Sequence, residues 1–271
     1  MPRQMMMEIK EMNMTDFNKN NEMTENTDNN DNDIERYVDD VDVILNQEND
    51  GTFAHGESIS RPDVSPAVVK RLPKYFRYLR QLIRQGKTRV SSAELSKMMN
   101  FTASQIRQDL NCFGGFGQQG YGYNVNYLYS KICEILGVGF GFRAAFVGAG
   151  NLGRALAKSP MFEKRGVDVV AMFDISEELI GKKVSEINIF SLDSLEQKLN
   201  EYGVDIVILT LPKEFADGIV DRLVTCNTVK GIWNFTGKEL DVSKSSIVVE
   251  DVHMGDSLMS LCYEVAKEAD K

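Results

Sequence analysis

Apolar positions are thinly scattered through the first sixty residues, then fall into a regular rhythm that runs almost to the end of the chain. Within 1–60 they concentrate mainly at Ile34–Leu45, amid Asn, Asp and Glu. Such a segment cannot bury enough surface to offset its ordering entropy, which predicts a disordered extension with at most a short helix near Ile34–Leu45. From Arg61 the spacing becomes helical. Ser65-Pro66 marks a helix start. Pro73 restarts the helix, Tyr75, Tyr78, Leu79, Leu82 and Ile83 share one face, and Gly86 ends it. Ser91 with Glu94, and Thr102 with Gln105, are capping-box pairs that open two short helices. The first carries Leu95, Met98 and Met99 inward, and the second Ile106 and Leu110. A tight turn at Asn100-Phe101 between them predicts a helix-turn-helix. Gly114 to Tyr123 then interleaves glycine with aromatic and amide residues, the composition of a hairpin wing. Asn126 is expected to cap a last helix through Leu128, Ile132, Ile135 and Leu136, with Gly137–Gly141 as a hinge.

Beyond the hinge the pattern alternates between short apolar runs and helical stretches, which predicts an α/β domain with a parallel sheet. The runs are Ala144–Val147, Val167–Phe173, Val204–Leu211, Gly231–Phe235 and Ser246–Val249. Continuous apolar character, as at Val204–Leu211, marks a strand buried on both faces. Leu258, Leu261, Cys262 and Val265 then form one helical stripe. An amphipathic terminal helix must cover something, either its own domain or a partner subunit. The organisation expected is thus an extension (1–60), a winged helix-turn-helix domain (61–140), a Rossmann doubly wound parallel sheet (141–252) and a C-terminal helix (253–271).

The first candidate chemistry lies between the first two strands of that sheet. Gly148-Ala149-Gly150-Asn151-Leu152-Gly153 follows a strand and opens a helix, and Asp174 closes the next strand. A G-x-G-x-x-G in that setting is a dinucleotide fingerprint. One glycine makes the tight turn, one lets the backbone approach a pyrophosphate, and the last lets helix and strand pack closely. The helix start then holds the negative charge. Thr210, Leu211 and Pro212, and Asn234 and Phe235, end later strands at the carboxyl edge where such a ligand binds.

Charge changes the reading of the first domain. The formal net charge is -9, but it is unevenly distributed. Residues 1–60 carry 4 Lys/Arg against 15 Asp/Glu, residues 61–140 carry 12 against 4, and the remainder 15 against 21. A basic segment of +8 between two acidic ones is the electrostatic footprint of a polyanion site. In a helix-turn-helix the second helix enters the major groove through its N-terminal residues. Here these are Ser104, Gln105, Arg107 and Gln108. Arginine suits guanine and glutamine suits adenine. Gln118, Gln119 and Tyr121 on the wing, with Lys74, Arg89, Ser91 and Ser92, complete the candidate DNA-binding set. A glutamine-tipped wing can enter a minor groove, whose floor presents only acceptors at A·T pairs.

Other classes are disfavoured. The chain has no apolar run long enough for a transmembrane helix, and its N-terminus lacks the pattern of a secretory signal. Four scattered cysteines without a C-x-x-C pair, and only two histidines, predict no metal site and reduced thiols in the cytoplasm.

Residues 61–271 resemble the Rex family of redox-sensing transcriptional repressors. The resemblance rests on Arg71-Leu72-Pro73 with Tyr75 and Tyr78-Leu79, on Ser91 to Leu95, and on Ile106-Arg107-Gln108-Asp109-Leu110 with Phe113-Gly114. It rests equally on Phe116 to Val125, Val147 to Leu156, Phe173-Asp174, Leu209 to Pro212 and Gly231 to Phe235. Residues 1–60 lie outside it. The resemblance implies a homodimer whose Rossmann domain binds NADH and NAD+ in competition. It implies A·T-rich palindromic operators near genes of fermentation and NADH reoxidation, released when NADH rises, and a C-terminal helix swapped between subunits. The family's arginine in the first helix is retained as Arg80. Two positions depart from its pattern: Ser159 stands where a tyrosine is common near the nicotinamide, and His253 where an aspartate is common before the terminal helix.

Two rival readings remain. An NAD-dependent oxidoreductase is suggested by Tyr263 and Lys267, spaced as in short-chain dehydrogenases. Yet these lie past every strand, and no catalytic base or substrate domain accompanies them. A regulator responding to another nucleotide, such as NADP(H), is opposed by Asp174, which would accept a ribose 2′-hydroxyl but repel a 2′-phosphate.

Overall fold

The computed structural model describes residues 64–112, 117–118 and 121–269. The expected extension 1–60 and Gln119 of the wing lie outside the described residues, as do Phe113 to Phe116. The described part begins with α1 (Pro66–Val69) and α2 (Leu72–Arg84). Ser65 stands at the N-cap of α1 but makes no side-chain bond there; its carbonyl accepts from the Val68 and Val69 amides. The buried face of α2 is Leu72, Tyr75, Phe76, Leu79 and Leu82. Phe76 replaces Tyr78 and Ile83 in the core and stacks on Tyr129 with centroids 5.1 Å apart.

Next come β1 (Arg89–Val90), α3 (Ser92–Met99) and α4 (Ala103–Asn111), then β2 (Gly117–Gln118), β3 (Gly122–Asn124) and α5 (Val125–Leu136). At the head of α3 the capping box is complete: Ser91 accepts from the Glu94 amide and Glu94 accepts from the Ser91 amide. At α4 only half of the expected box forms. Thr102 accepts from the Gln105 amide, but the Gln105 side chain turns to Asp109. Between the two helices Asn100 adopts the left-handed conformation, one that asparagine tolerates at helix ends. The three short strands form an antiparallel sheet in the order β1-β3-β2, so the expected wing is present. The last helix of this region is capped by Asn124, not Asn126: the Asn124 side chain accepts from the Tyr127 amide. β3 already ends at Asn124 in register with Arg89, so the helix starts two residues earlier than its apolar spacing suggests.

The second half is built on β4 (Phe142–Val147), α6 (Asn151–Ala157), β5 (Val167–Asp174), β6 (Lys183–Val184), β7 (Ile187–Ser191), α7 (Leu195–Glu201), β8 (Ile206–Leu209), α8 (Ala216–Leu223), β9 (Gly231–Asn234) and β10 (Val248–Asp251). The sheet order is β10-β9-β8-β4-β5-β7-β6. All pairings are parallel except that of β6, an edge strand antiparallel to β7. Without β6 this is the doubly wound order of a Rossmann sheet, in which the chain reverses its winding between β4 and β8. Alternate residues supply two cores. Ala145, Val147, Phe173, Val207 and Leu209 pack with Leu195, Leu199, Ile219 and Leu223 of α7 and α8. Ala144, Phe146, Met172 and Ile208 face the other way, toward Phe162 and Trp233. The chain then continues into α9 (Met254–Ala269), whose apolar stripe is solvent-exposed in the single chain: Leu258, Leu261 and Val265 are each 60% exposed or more.

Candidate functional site

The glycine fingerprint sits at the point where the sheet reverses. Gly148 leaves β4 with φ +105, and a Cβ there would lie 2.8 Å from the Thr210 carbonyl carbon and 2.9 Å from the Leu211 nitrogen. Only glycine fits that turn. At Gly153 a Cβ would lie 2.2 Å from the Gly148 carbonyl oxygen and 2.7 Å from Thr210 Oγ1. At Gly150, by contrast, a Cβ would meet nothing within 4 Å. The loop is therefore closed at its first and third glycines and open at its second, where a pyrophosphate would approach. Gly150 is also the N-cap residue of α6, so Asn151 and Leu152 offer the first helical amides at this opening.

Further predicted residues converge on the loop. Thr210 Oγ1 donates to the Gly148 carbonyl at 2.8 Å. Asp174 Oδ2 accepts from the Ala149 amide at 2.6 Å, and Oδ1 from the Ser176 amide at 2.9 Å. The acid at the end of β5 is thus tied directly to the fingerprint. Leu211 and Pro212 follow β8 at the same edge. Asn234 is buried and its amide is already engaged: Nδ2 donates to Asp251 and to the Lys238 carbonyl, and Oδ1 accepts from Thr236. It braces the turn after β9. Phe235 stands edge-on to Trp233 with centroids 4.6 Å apart. This donor set and opening fit an adenine dinucleotide, with Gly150 and the Asn151 and Leu152 amides at the opening. Ser159 accepts from the Met161 amide, and His253 is exposed at the start of α9.

The second candidate surface is on the helix-turn-helix. Ser104, Arg107 and Gln108 are exposed along α4, next to Asn111 and Cys112 in one shallow surface depression. Arg107 Nη1 donates to Ser92 Oγ at 3.2 Å, which joins predicted residues of both helices. Arg89 Nη1 donates to the Tyr121 carbonyl at 3.3 Å, with its guanidinium 6.0 Å from the Tyr121 ring, and so places a cation at the base of the wing. Lys74 Nζ lies 4.5 Å from the centre of the Phe101 ring. Gln118 lies in β2.

Sequence reasoning missed the residue that holds this surface together. Asp109 is fully buried on the inner face of α4. Its carboxylate accepts from Arg71 Nε at 2.8 Å and Nη2 at 2.7 Å, from Tyr75 Oη at 3.0 Å and from Gln105 Nε2 at 2.8 Å. Burial opposes ionisation, but the bonds from Arg71, Gln105 and Tyr75 outweigh it and hold the carboxyl below its ordinary range. Burial, then the Asp109 charge, pushes the Tyr75 phenol up. Arg71, counted above with the basic charge, is therefore occupied in locking α4 to the start of α2. The signal was available, since Asp109 falls on the Ile106–Leu110 apolar stripe, where a charge must be paired.

Among the described residues, no group of three or more His, Cys, Asp or Glu could hold a metal, and no helix is long and apolar enough to cross a membrane. Tyr263 lies on α9 and is 65% exposed, beyond the last strand.

A winged helix-turn-helix and a dinucleotide-binding sheet in one chain define a DNA-binding regulator of the nucleotide-responsive class. Residues 63–111 match the family model "Putative DNA-binding protein N-terminus", and residues 142–237 match the model "CoA binding domain". The chain is 47% identical over 201 residues to the redox-sensing transcriptional repressor Rex of Clostridium beijerinckii, covering 74% of this chain and 94% of that one. It is 49% identical to that of Clostridium botulinum, covering 74% and 95%. The chain belongs to the Rex family of redox-sensing transcriptional repressors, regulators rather than enzymes. Among solved structures it is similar to RSP, a Rex-family repressor. The match to RSP with β-NAD+ and operator DNA has a TM-score of 0.72 at 44% identity, covering 79% of this chain and 95% of that one. The match to RSP with β-NADH has a TM-score of 0.71 at 42% identity, covering 76% and 96%.

Proposed function

We propose that the protein represses transcription as a homodimer that holds an A·T-rich palindromic operator and releases it when NADH binds. The observation that carries this reading is the fingerprint at the sheet's reversal point, with Gly150 facing open space, in the same chain as an exposed Arg107 recognition surface. RSP, crystallised with β-NAD+ and operator DNA and with β-NADH, supports both ligands here.

In this reading Gly148, Ala149, Gly150, Asn151, Leu152 and Gly153, with Asp174, Thr210, Leu211, Pro212, Asn234 and Phe235, form the nucleotide site. Ser104, Gln105, Arg107 and Gln108 read the major groove, and Arg89, Tyr121, Gln118 and Gln119 serve the wing. Lys74, Ser91 and Ser92 position the backbone. The dimer rests on α9: its stripe is exposed in the single chain, and an apolar helix face of that length needs a partner. A swap of α9 between subunits would join the nucleotide domain of one to its partner. The protein acts in the cytoplasm, at genes of fermentation and NADH reoxidation.

Release follows from geometry. A palindromic operator requires two recognition helices one helical turn or so apart, so a modest rotation breaks simultaneous contact. NADH therefore has to favour the arrangement with the wrong spacing. A gel shift on an A·T-rich palindrome tests the reading: the complex persists with NAD+ or NADPH and is lost with NADH. A complex indifferent to NADH overturns it.

A further inference from the structure

We propose that Asp109 is a positioning residue that fixes the direction of the Gln105 side-chain amide and so makes Gln105 a reader of adenine on one chosen strand. This rests on the recognition role of α4 proposed above. Gln105 and Asp109 are four residues apart on α4, one turn along the same face. Gln105 is the third residue of the helix and half-buried, bonded to the buried Asp109 carboxylate on a helix whose Ser104, Arg107 and Gln108 are exposed. An ionised carboxylate only accepts hydrogen bonds. Asp109 is also held in place by two guanidinium nitrogens of Arg71 and by the Tyr75 hydroxyl.

Only the NH2 end of the Gln105 amide can therefore face Asp109, and it does, at 2.8 Å. Turning the amide over would set its oxygen against a buried anion. The last torsion of a glutamine is otherwise broad, so a free side chain presents its donor and acceptor in either order. Here one N–H is held inward, leaving the carbonyl oxygen and the second N–H in a fixed order. Adenine offers a matching N6 donor and N7 acceptor, whereas guanine offers two acceptors and thymine one acceptor and a methyl group. The fixed order distinguishes A·T from T·A at the pair that Gln105 faces.

The test is a base-pair scan of the operator with wild type, Asp109→Asn, Gln105→Ala and the double variant, alongside affinity for random-sequence DNA. An asparagine at 109 can turn either its oxygen or its NH2 toward Gln105, which removes the constraint. In wild type, reversing one A·T pair weakens binding by about tenfold. That penalty falls to about twofold or less in Asp109→Asn and in Gln105→Ala, and the double variant loses no more. An Asp109→Asn protein that keeps the full penalty, or that weakens every sequence alike, overturns the proposal and leaves Asp109 a structural anchor. A wild type that binds no operator sinks the repressor reading itself, and this one with it. If Asp109→Asn does not fold, the wild-type Gln105 amide protons report instead. They exchange about tenfold more slowly than those of exposed Gln108; equal rates overturn the proposal.

Discussion

Gly153 of α6 packs so closely on Gly148 that a Cβ at 153 would lie 2.2 Å from the Gly148 carbonyl oxygen. That contact seals helix to strand, while Gly150 between them faces open space. The three glycines therefore separate into two that are closely packed and one that is open.

Gly153→Ala and Gly150→Ala should accordingly behave in opposite ways. Overpacking at 153 destabilises the protein by about 1–3 kcal/mol and disturbs the nucleotide loop with it. Alanine at 150 is accommodated by the backbone, φ −70 and ψ −169, so the melting temperature holds while NADH affinity falls. Thermal melts paired with NADH fluorescence titrations check both. A Gly150→Ala protein with wild-type NADH affinity would remove the phosphates from that opening.

Arg107→Ala should weaken operator binding by about 1–3 kcal/mol and relax preference at one guanine. Lys74→Ala, if that lysine meets a phosphate, should weaken all sequences alike and reduce the slope of log affinity against log salt by about one. Binding isotherms at several salt concentrations, on operator and random DNA, separate the two. An Arg107→Ala protein with unchanged specificity moves that residue off the base edges.

The helix-turn-helix should lose stability in acid through Glu94. Lys87, at 2.5 Å, and then the Ser91 amide and hydroxyl lower the Glu94 carboxyl from 4.5 to about 2. A depressed folded-state value means the contribution is present above the unfolded value and lost as pH falls from 4.5 toward about 2. Glu94→Gln should flatten the dependence of the urea midpoint on pH across that window, leaving the part due to Asp109, which shifts the same way. A dependence as steep as wild type assigns the acid sensitivity elsewhere.

Residues 1–60, with 4 Lys/Arg against 15 Asp/Glu, precede a domain of opposite charge. Their removal should leave a folded dimer and raise affinity for random-sequence DNA at low salt, with the difference fading at high salt. Calorimetry and anisotropy titrations check this. Loss of the cooperative melt would make the extension part of the fold.

Features with a steric or periodic cause were legible in advance. The fingerprint glycines, the Ser91–Glu94 box and the buried runs of β4, β5 and β8 each follow from local rules. The edge strand β6 is two residues long and β7 half-polar, too short for a periodic signal. Asn124 and Asn126 are equally good caps by residue type, and the pairing of β3 with β1 chose between them. The Arg71–Asp109 pair spans 38 residues; spacing along α4 shows that Asp109 needs a partner but not which cation supplies it. Asn234 ends a strand at the expected edge, yet its amide is bound to Asp251 and the following turn, a contact only the tertiary fold creates.

The central claim is that NADH and operator compete through one dimer, and linkage makes it measurable from the nucleotide side. If NADH weakens DNA binding by some factor, operator must weaken NADH binding by the same factor. NADH affinity should be measured by fluorescence with and without saturating operator, in wild type and Gly150→Ala. The account predicts that operator lowers wild-type NADH affinity by about 5- to 150-fold, and that Gly150→Ala binds operator normally but no longer releases it with NADH. Equal NADH affinities in the presence and absence of operator would contradict it.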